Sequence, residues 1–299
     1  MICSELKNLL RMSIDRRRLF ITVLLAVSFG LLFRHVFPKL VHDWWTDDNY
    51  SHGFLIIPVA LYLAWERRRA FASVPERLSI LGLVVVVGSI GVLLAGILGS
   101  ELFLTRIAIL GTVTGSVLFL FGWQRLRVLA FPLAFLLLMI PLPAIIFNQI
   151  AFPLQLFASK VGEFALSAVD IPVLREGNVL ILANTSLEVA EACSGIRSLV
   201  SLLTLGIVFG YFADQRAWVR GLIALSTIPI AVITNGARVA GTGIAAHSYG
   251  PGAAEGFLHE FSGWVIFVMA FAMIIALQWV LVRLVPPPPP PPQAVAAAS

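Results

Sequence analysis

The chain has 299 residues, of which 59% are hydrophobic and 12% charged, and its mean hydropathy is +0.93. This composition excludes an ordinary soluble domain, because runs of about 18 or more apolar residues are typical of membrane-spanning helices. The formal net charge is +5; we attribute it to membrane topology and see no indication of nucleic-acid binding. Short strands with regular alternation are absent, which argues against a barrel.

The apolar runs predict an all-α polytopic membrane protein with eight spanning helices. A helix satisfies its own backbone polar groups in lipid, which an isolated strand does not. The first run is long and no small-residue cleavage site follows it, so we interpret it as an uncleaved anchor. The predicted spans are residues 19–37, 51–65, 80–98, 102–121, 128–147, 196–213, 221–240 and 262–282.

The basic residues orient this bundle. Of the 21 Lys and Arg residues, 14 fall on one side of the predicted spans. These are Lys7, Arg11, Arg16, Arg17, Arg18, Arg67, Arg68, Arg69, Arg77, Arg125, Arg127, Arg216, Arg220 and Arg283. The opposite loops hold Lys39, Lys160 and Arg175. The positive-inside rule therefore predicts that both termini are cytoplasmic, which agrees with an even number of spans.

Two segments on the predicted outer face differ from ordinary loops. Residues 148–170 are semi-apolar and indicate either an amphipathic helix on the membrane or a re-entrant piece. Residues 173–190 predict a small extended hairpin with its turn at Glu176-Gly177-Asn178, leading directly to Cys193. We expect one transmembrane domain, residues 1–285, followed by a proline-rich cytoplasmic tail, residues 286–299.

Cys193 is the first candidate for chemistry. The chain has two cysteines, and Cys3 is predicted on the cytoplasmic side, so Cys193 has no disulfide partner within the chain. A lone membrane cysteine is most often a small buried apolar residue. Here Cys193 and Ser194 begin a predicted helix, whose dipole lowers a thiol pKa. Arg197, four residues on, adds a cation on the same face.

Two further ionisable residues fall at the same predicted membrane face. Arg238 follows Asn235-Gly236-Ala237 at the outer end of the seventh span, where an arginine is costly. A snorkelling anchor is the alternative for this residue. His259 precedes the eighth span, and His52, in Tyr50-Ser51-His52-Gly53, is the rival base on the outer face.

Three segments together resemble the motifs of exosortases. They are Glu-Ala-Cys-Ser-Gly-Ile-Arg-Ser-Leu at 191–199, Asn-Gly-Ala-Arg at 235–238 and His-Glu-Phe-Ser-Gly-Trp at 259–264. Tyr-Ser-His-Gly at 50–53 also looks like the N-terminal half of that family. The resemblance covers nearly the whole chain in order, and excludes the proline-rich tail.

The resemblance implies a cysteine transpeptidase of the bacterial inner membrane with its active site facing the periplasm. Exosortases act on exported proteins that end in a Pro-Glu-Pro motif, a transmembrane helix and a basic tail, and are associated with exopolysaccharide production. The matching positions imply Cys193 as nucleophile, Arg238 as oxyanion or substrate-orienting group, and His259 as general acid/base. Arg197, Ser194, Asn235 and His52 are supporting candidates. We expect no cofactor, and the outer His and Glu residues lack a compact metal-ligand spacing.

Other classes stay open at this point. A transporter or flippase for lipid-linked saccharides fits polytopic architecture, and Pro141, Pro143 and Pro229 fit broken helices. Such a protein concentrates polar residues at the membrane midplane, whereas the candidates here cluster at one face. A protease that only hydrolyses shares the same thioester, so the sequence does not separate it from a transferase. A non-catalytic assembly protein is the remaining alternative.

Overall fold

The computed structural model describes residues 20, 23–183, 185–189, 195–250, 252 and 257–285, and for residues 195–196 and 257–260 it describes the backbone alone. The chain divides into two compact units, Met1–Pro141 and Leu142–Ser299, called unit 1 and unit 2. Both units are mainly helical, as the sequence predicts, and unit 2 also carries a small sheet. The predicted tail, residues 286–299, lies outside the described residues, so the domain boundary at residue 285 stays a prediction.

Unit 1 is a bundle of apolar helices joined by short turns. The helices are α1 Val23–Leu32, α2 Val36–Thr46, α3 Gly53–Glu66, α4 Arg68–Ser73, α5 Ile80–Leu98, α6 Leu102–Phe135 and a 3-10 helix, Leu136–Met139.

The first predicted span, residues 19–37, is broken in the structure. A turn at residues 33–35 ends α1 at Leu32, and α2 continues at an angle of 67°. Phe33 is fully buried at this turn. Its ring contacts those of Phe29 and Phe37, so the turn carries an aromatic cluster whose burial stabilises the bent arrangement.

The second helix is anchored through one tryptophan. The buried side chains of α2 recur every four residues, at Val36, Leu40 and Trp44, and form one face. Trp44 Nε1 donates to the carbonyl oxygen of Met139 at 2.9 Å. A Cβ at Gly53 would lie 2.3 Å from Trp44 Nε1, so only glycine fits at the start of α3. The tryptophan therefore ties α2 to both α3 and the 3-10 helix.

Helices α5 and α6 pack as a close antiparallel pair. Glycines at the contact let the backbones approach: a Cβ at Gly82 would lie 2.1 Å from the Phe119 nitrogen, and one at Gly115 would lie 2.9 Å from the Val86 nitrogen. Gly122 then interrupts α6 with φ of 79°, and the Arg77 carbonyl oxygen lies 2.3 Å from where its Cβ would be. Both facts require glycine at this position.

The chain reverses direction at Gly122. A single cavity is lined by both Ile107–Thr114 and Trp123–Leu137, which a straight helix would separate by tens of ångströms at 1.5 Å per residue. The first half of α6 therefore agrees with the predicted span 102–121. The next predicted span, 128–147, is wrong in its second half, because the helix ends by Met139 and a new one starts at Ala144. Pro141 and Pro143 lie in the interruption, where they cannot continue a helix.

Basic residues gather at one end of unit 1, as the charge pattern predicts. Arg125 pairs with Glu76 at 2.7 Å and donates from Nε to the Val74 carbonyl oxygen. Arg67 donates from Nη1 to the Val128 carbonyl oxygen at 2.9 Å. These bonds fasten the segment between α3 and α5 to the reversal in α6.

Unit 2 combines helices with an antiparallel sheet. Its elements are α7 Ala144–Ser167, β1 Val173–Glu176, β2 Val179–Leu182, β3 Ser186–Glu188, α8 Gly195–Ala213, α9 Ala217–Tyr249 and α10 Phe257–Leu284.

The predicted hairpin is confirmed, and it extends to a third strand. The strand order is β1-β2-β3, and Glu176 pairs with Val179 across a turn in which Gly177 has φ of 64°. The buried side chains Leu180, Leu182 and Leu187 pack with Leu166 of α7 and Val239 of α9. The sheet is therefore fixed to the helices by a shared apolar core.

Five helices are long and apolar enough to cross a membrane among the described residues, and six if the bent pair α1–α2 counts as one span. Helix α3 and the part of α8 from Arg197 to Ala213 are apolar but shorter than 18 residues. The count also treats Leu102–Met139 as one helix, although Gly122 interrupts it. A multi-pass membrane protein is confirmed; the count of eight spans and the orientation stay predictions.

Three helices differ in extent from the sequence prediction. Helix α7 starts within the predicted span 128–147 and covers most of residues 148–170, and it is itself apolar enough to cross a membrane. Helix α9 continues nine residues past the predicted end at residue 240, to Tyr249. Helix α10 begins at Phe257, so His259 lies in its first turn and not in a preceding loop.

Candidate active site

Arg238 is held inside unit 2 by helix α10. Its residue is only 6% exposed. A Cβ placed on Gly263 of α10 would lie 3.1 Å from Arg238 Nη2 and 3.3 Å from Cζ. The guanidinium therefore packs directly against the α10 backbone, in a space that exists because residue 263 has no side chain.

This contact brings two of the sequence motifs together. Gly263 belongs to the segment His259 to Trp264, and Arg238 ends the segment Asn235 to Arg238. His259 lies four residues before Gly263, one helical turn away on the same face of α10. The side chain of His259 is outside the described structure. Gly263 was not singled out from the sequence, because a glycine has no reactive side chain. The available signal was its position four residues after His259, which puts the two residues on one face of a helix.

Cys193 and Ser194 lie outside the described residues, but the chain is fixed on both sides of them. Val189 is fully buried and its N–H donates to the Asn178 carbonyl oxygen at 2.9 Å. Val189 shares its apolar cluster with Val239, the residue after Arg238. On the other side, the backbone of α8 begins at Gly195. Residues 190–194 thus connect two elements that both belong to unit 2.

The packing of α8 against α9 indicates which residue of α9 lies beside Arg197. A Cβ at Gly206 would lie 2.3 Å from Thr227 Cγ2, and one at Gly210 would lie 3.4 Å from the Arg220 carbonyl oxygen. Higher residue numbers on α8 therefore match lower ones on α9, so the helices are antiparallel. Continued to the start of α8, this register places half-buried Arg197 level with Asn235, which is 7% exposed.

Helix α9 also packs closely against α7, on the side that faces the sheet. A Cβ at Gly236 would lie 2.7 Å from Val161 Cγ1, and one at Gly162 would lie 2.7 Å from Val239 Cγ1. Glycines on both helices thus allow α7 to pack tightly on α9 beside Arg238. Helix α9 is therefore held by α7, α8 and α10 at the level of its arginine, and this packing limits its movement.

The opposite end of the α9–α10 pair is basic. Arg216 donates from Nη1 to the Val285 carbonyl oxygen at 2.7 Å, and Arg216 also pairs with Asp214 at 2.6 Å. Hydrogen bonds from Arg216 lower the pKa of Asp214 below its usual range. Residues 216–238 and 263–285 are segments of equal length, about 33 Å at 1.5 Å per residue. The Arg238 contact and the basic end are thus separated by about the thickness of a bilayer core.

His52 lies in unit 1, immediately before α3. Its Nε2 is 3.1 Å from the Leu138 carbonyl oxygen, and the ring is half-buried. The ring therefore serves to hold the turn at residues 47–52 against the 3-10 helix.

Unit 1 contains a buried arginine, Arg106, that the sequence did not single out. Arg106 of α6 is 3% exposed, and its Nη2 forms an ion pair with Asp43 of α2. The signal available in the sequence was a lone arginine close to the start of a predicted span. Across the described part of the chain, no group of three His, Cys, Asp or Glu residues is arranged to hold a metal ion.

The comparison with protein families identifies the chain's family. The family model described as transmembrane exosortase matches residues 44–276, which is most of the chain. The match includes the segments of Cys193, Arg238 and His259. Among curated proteins and solved structures the chain has no significant match. A family match over this length, on a multi-pass helical membrane protein, shows that the chain belongs to the transmembrane exosortases.

Proposed function

We propose that this exosortase is a cysteine transpeptidase that cleaves C-terminal sorting signals of exported proteins at the outer face of the bacterial inner membrane. The observation that carries the proposal is the packing of Arg238 on Gly263, one helical turn from His259. It joins two of the three motif segments within one unit. The third segment, that of Cys193, belongs to the same unit by its position in the chain, and α8 begins two residues after it, at Gly195.

In the proposed reaction, His259 accepts the thiol proton and the Cys193 sulfur attacks the scissile carbonyl carbon. An S–C bond forms, and Arg238 stabilises the negative charge that develops on the carbonyl oxygen. The C–N bond then breaks as His259 returns the proton to the leaving amine. The thioester is finally attacked by an acceptor nucleophile, which regenerates the thiol. Arg197 and the start of α8 favour the thiolate, and Asn235 supports Arg238.

Substrates in this proposal are membrane-anchored proteins that end in a Pro-Glu-Pro motif, a transmembrane helix and a basic tail. The positive-inside rule places the basic tail of the substrate in the cytoplasm, on the same side as the predicted termini of the enzyme. The scissile bond then falls at the outer interface. The link to exopolysaccharide production follows from the family resemblance.

A transporter or flippase is less well supported. Helix α9 runs unbroken through Pro229 from Ala217 to Tyr249, whereas a substrate site at a broken helix needs exposed backbone at the midplane. The interruption at residues 140–143 falls where the two compact units meet in sequence.

The test of the proposed function is processing of a tagged substrate in membranes. We expect Cys193→Ala to abolish the shortened product while the enzyme stays at normal abundance. Cys3→Ala, the matched control, should process normally. Processing by Cys193→Ala at a rate near that of the unaltered protein would refute the proposal.

Orientation is tested by reporter fusions. We expect a fusion in the exposed turn at Gly177 to report the outer face and one after Ser299 to report the cytoplasm. A third fusion after Pro143 tests α7: the same readout as at Gly177 means that α7 lies along the membrane or re-enters it. Matching readouts at Gly177 and Ser299 would contradict the proposed topology.

A further inference from the structure

A cavity of about 310 Å³ is lined by residues on both sides of the bend between α1 and α2. Its polar and charged lining residues are His35, Lys39 and buried Arg106, together with Ser100 and Thr105. The apolar walls are Leu32 and Ile97. The cavity exists because α1 and α2 diverge by 67° at the turn that separates them.

The charges at this cavity favour an anion. Arg34 donates from Nε to His35 Nε2 at 3.0 Å, which adds a cation beside the exposed Lys39. The carboxylate of Asp43 is taken up by Arg106. The carboxylate of Glu101 accepts from the N–H groups of Phe103 and Leu104 at the start of α6. Arg34, Lys39 and Arg106 are three cations, and the carboxylates of Asp43 and Glu101 are two anions, so the formal charge of these groups is +1.

An apolar groove continues from the cavity along the same helices. Its volume is about 330 Å³, and Leu32 lines both spaces. The walls of the groove include Phe29 of α1 and Val86 and Ile90 of α5. From Leu83 to Ile97 the two spaces follow α5 for about 20 Å at 1.5 Å per residue. One leaflet occupies half of a hydrocarbon core of about 30 Å. The two spaces are therefore long enough for the acyl chain of a lipid in one leaflet.

We propose that the cavity and the groove form one binding site for an anionic glycerophospholipid. The headgroup phosphate lies beside Lys39 and Arg106, and one acyl chain lies in the groove against Phe29 and Ile90. A cationic end joined to an apolar groove matches the two ends of such a lipid, and neither a free anion nor a neutral lipid uses both. Bound lipid stabilises unit 1 by mass action and ties α1 to α5. This site is independent of the proposed catalytic function.

The test is thermal unfolding of the full-length protein in a neutral detergent with added lipid. We expect phosphatidylglycerol to raise the Tm by about 3 °C or more, and phosphatidylcholine and inorganic phosphate to raise it by less than a third of that amount. Lys39→Gln should remove most of the phosphatidylglycerol effect. Lys160→Gln, an exposed lysine in α7 and the matched control, should retain it.

A second pair of variants tests the groove. Ser28→Trp places a large ring in the groove, whereas Val27→Trp places it on a neighbouring exposed position that does not line the groove. We expect the first to reduce the phosphatidylglycerol shift and the second to preserve it. Three outcomes would overturn the proposal: equal shifts with both lipids, a full shift with inorganic phosphate, or a full shift in Lys39→Gln. If Ser28→Trp does not fold, the lysine pair still decides.

Discussion

Both units bury arginine residues, and the surroundings described for Arg106 in unit 1 and Arg238 in unit 2 differ. In unit 1 the Arg106 guanidinium pairs with the Asp43 carboxylate. In unit 2 the Arg238 guanidinium lies against the backbone at Gly263, beside the turn that carries His259. The ion pair with Asp43 joins α6 to α2 and contributes to the fold of unit 1. Arg238 lies in a motif segment of the family and in the same unit as the segments of Cys193 and His259, and we propose that it acts on the substrate.

This difference suggests a division of labour. Unit 1 ties its helices together with Trp44, with the Asp43–Arg106 pair and with His52. Unit 2 holds the segments of all three proposed catalytic residues. Changes in unit 1 should therefore lower abundance or thermal stability, whereas changes at the Arg238 site should lower turnover at normal abundance.

The largest expected effect separates the two histidines. We expect His259→Ala to lower processing by about 10²–10⁴-fold, because it removes the proposed general acid/base. His52→Ala should leave partial activity, since its ring supports a turn in unit 1. Both variants are compared on one substrate at matched expression. Normal rates in His259→Ala together with an inactive His52→Ala would reverse the assignment.

The arginines provide the next test. Arg238→Lys should lose about 10²-fold in turnover or more, because a lysine lacks the planar fork that orients a carbonyl oxygen. Arg106→Leu should instead lower thermal stability, since it leaves Asp43 without its cation. Turnover is normalised to folded enzyme in both cases. Full turnover in Arg238→Lys would mean that this arginine is only an anchor.

A smaller effect is expected at Gly263. An added methyl group would lie 3.1 Å from Arg238 Nη2, so the guanidinium has to shift. Overpacking of this kind costs about 1–3 kcal/mol, and we expect Gly263→Ala to lower turnover about 10-fold. Gly241→Ala on α9 is the matched control, because a Cβ there has nothing within 4 Å. Equal turnover in the two variants would show that the contact has no role in the reaction.

Local turn chemistry made part of this fold predictable. Glu176-Gly177-Asn178 between apolar runs predicted the hairpin, and β1 and β2 pair across that turn. The end of α9 was not predictable from hydropathy, which marks the apolar part of a helix and not its extent. The added turns persist because Gly243 packs against Leu166 of α7, a contact between residues distant in sequence.

Prediction of the candidate active site from sequence met the same limit, because contacts between residues distant in sequence were not visible. The motif residues were recognisable from their types and spacing, and Arg238 lies on α9 as expected. Gly263 belongs to one of these motifs, but its contact with Arg238 was not predictable, because its contribution is the absence of a side chain. The bend after α1 was missed for a related reason. An apolar run predicts burial in lipid or protein, whereas the bend accompanies tertiary packing, in which Phe33 is fully buried.

The central claim is that an acyl thioester forms on Cys193, and its capture tests this most directly. Hydroxylamine added to membranes with a tagged substrate attacks a thioester and releases the substrate with a C-terminal hydroxamate. Mass spectrometry of the shortened product should find that hydroxamate with the unaltered enzyme and with Cys3→Ala, and neither the hydroxamate nor a shortened product with Cys193→Ala. Shortened substrate bearing the hydroxamate from Cys193→Ala, at a rate near that of the unaltered enzyme, would contradict the account.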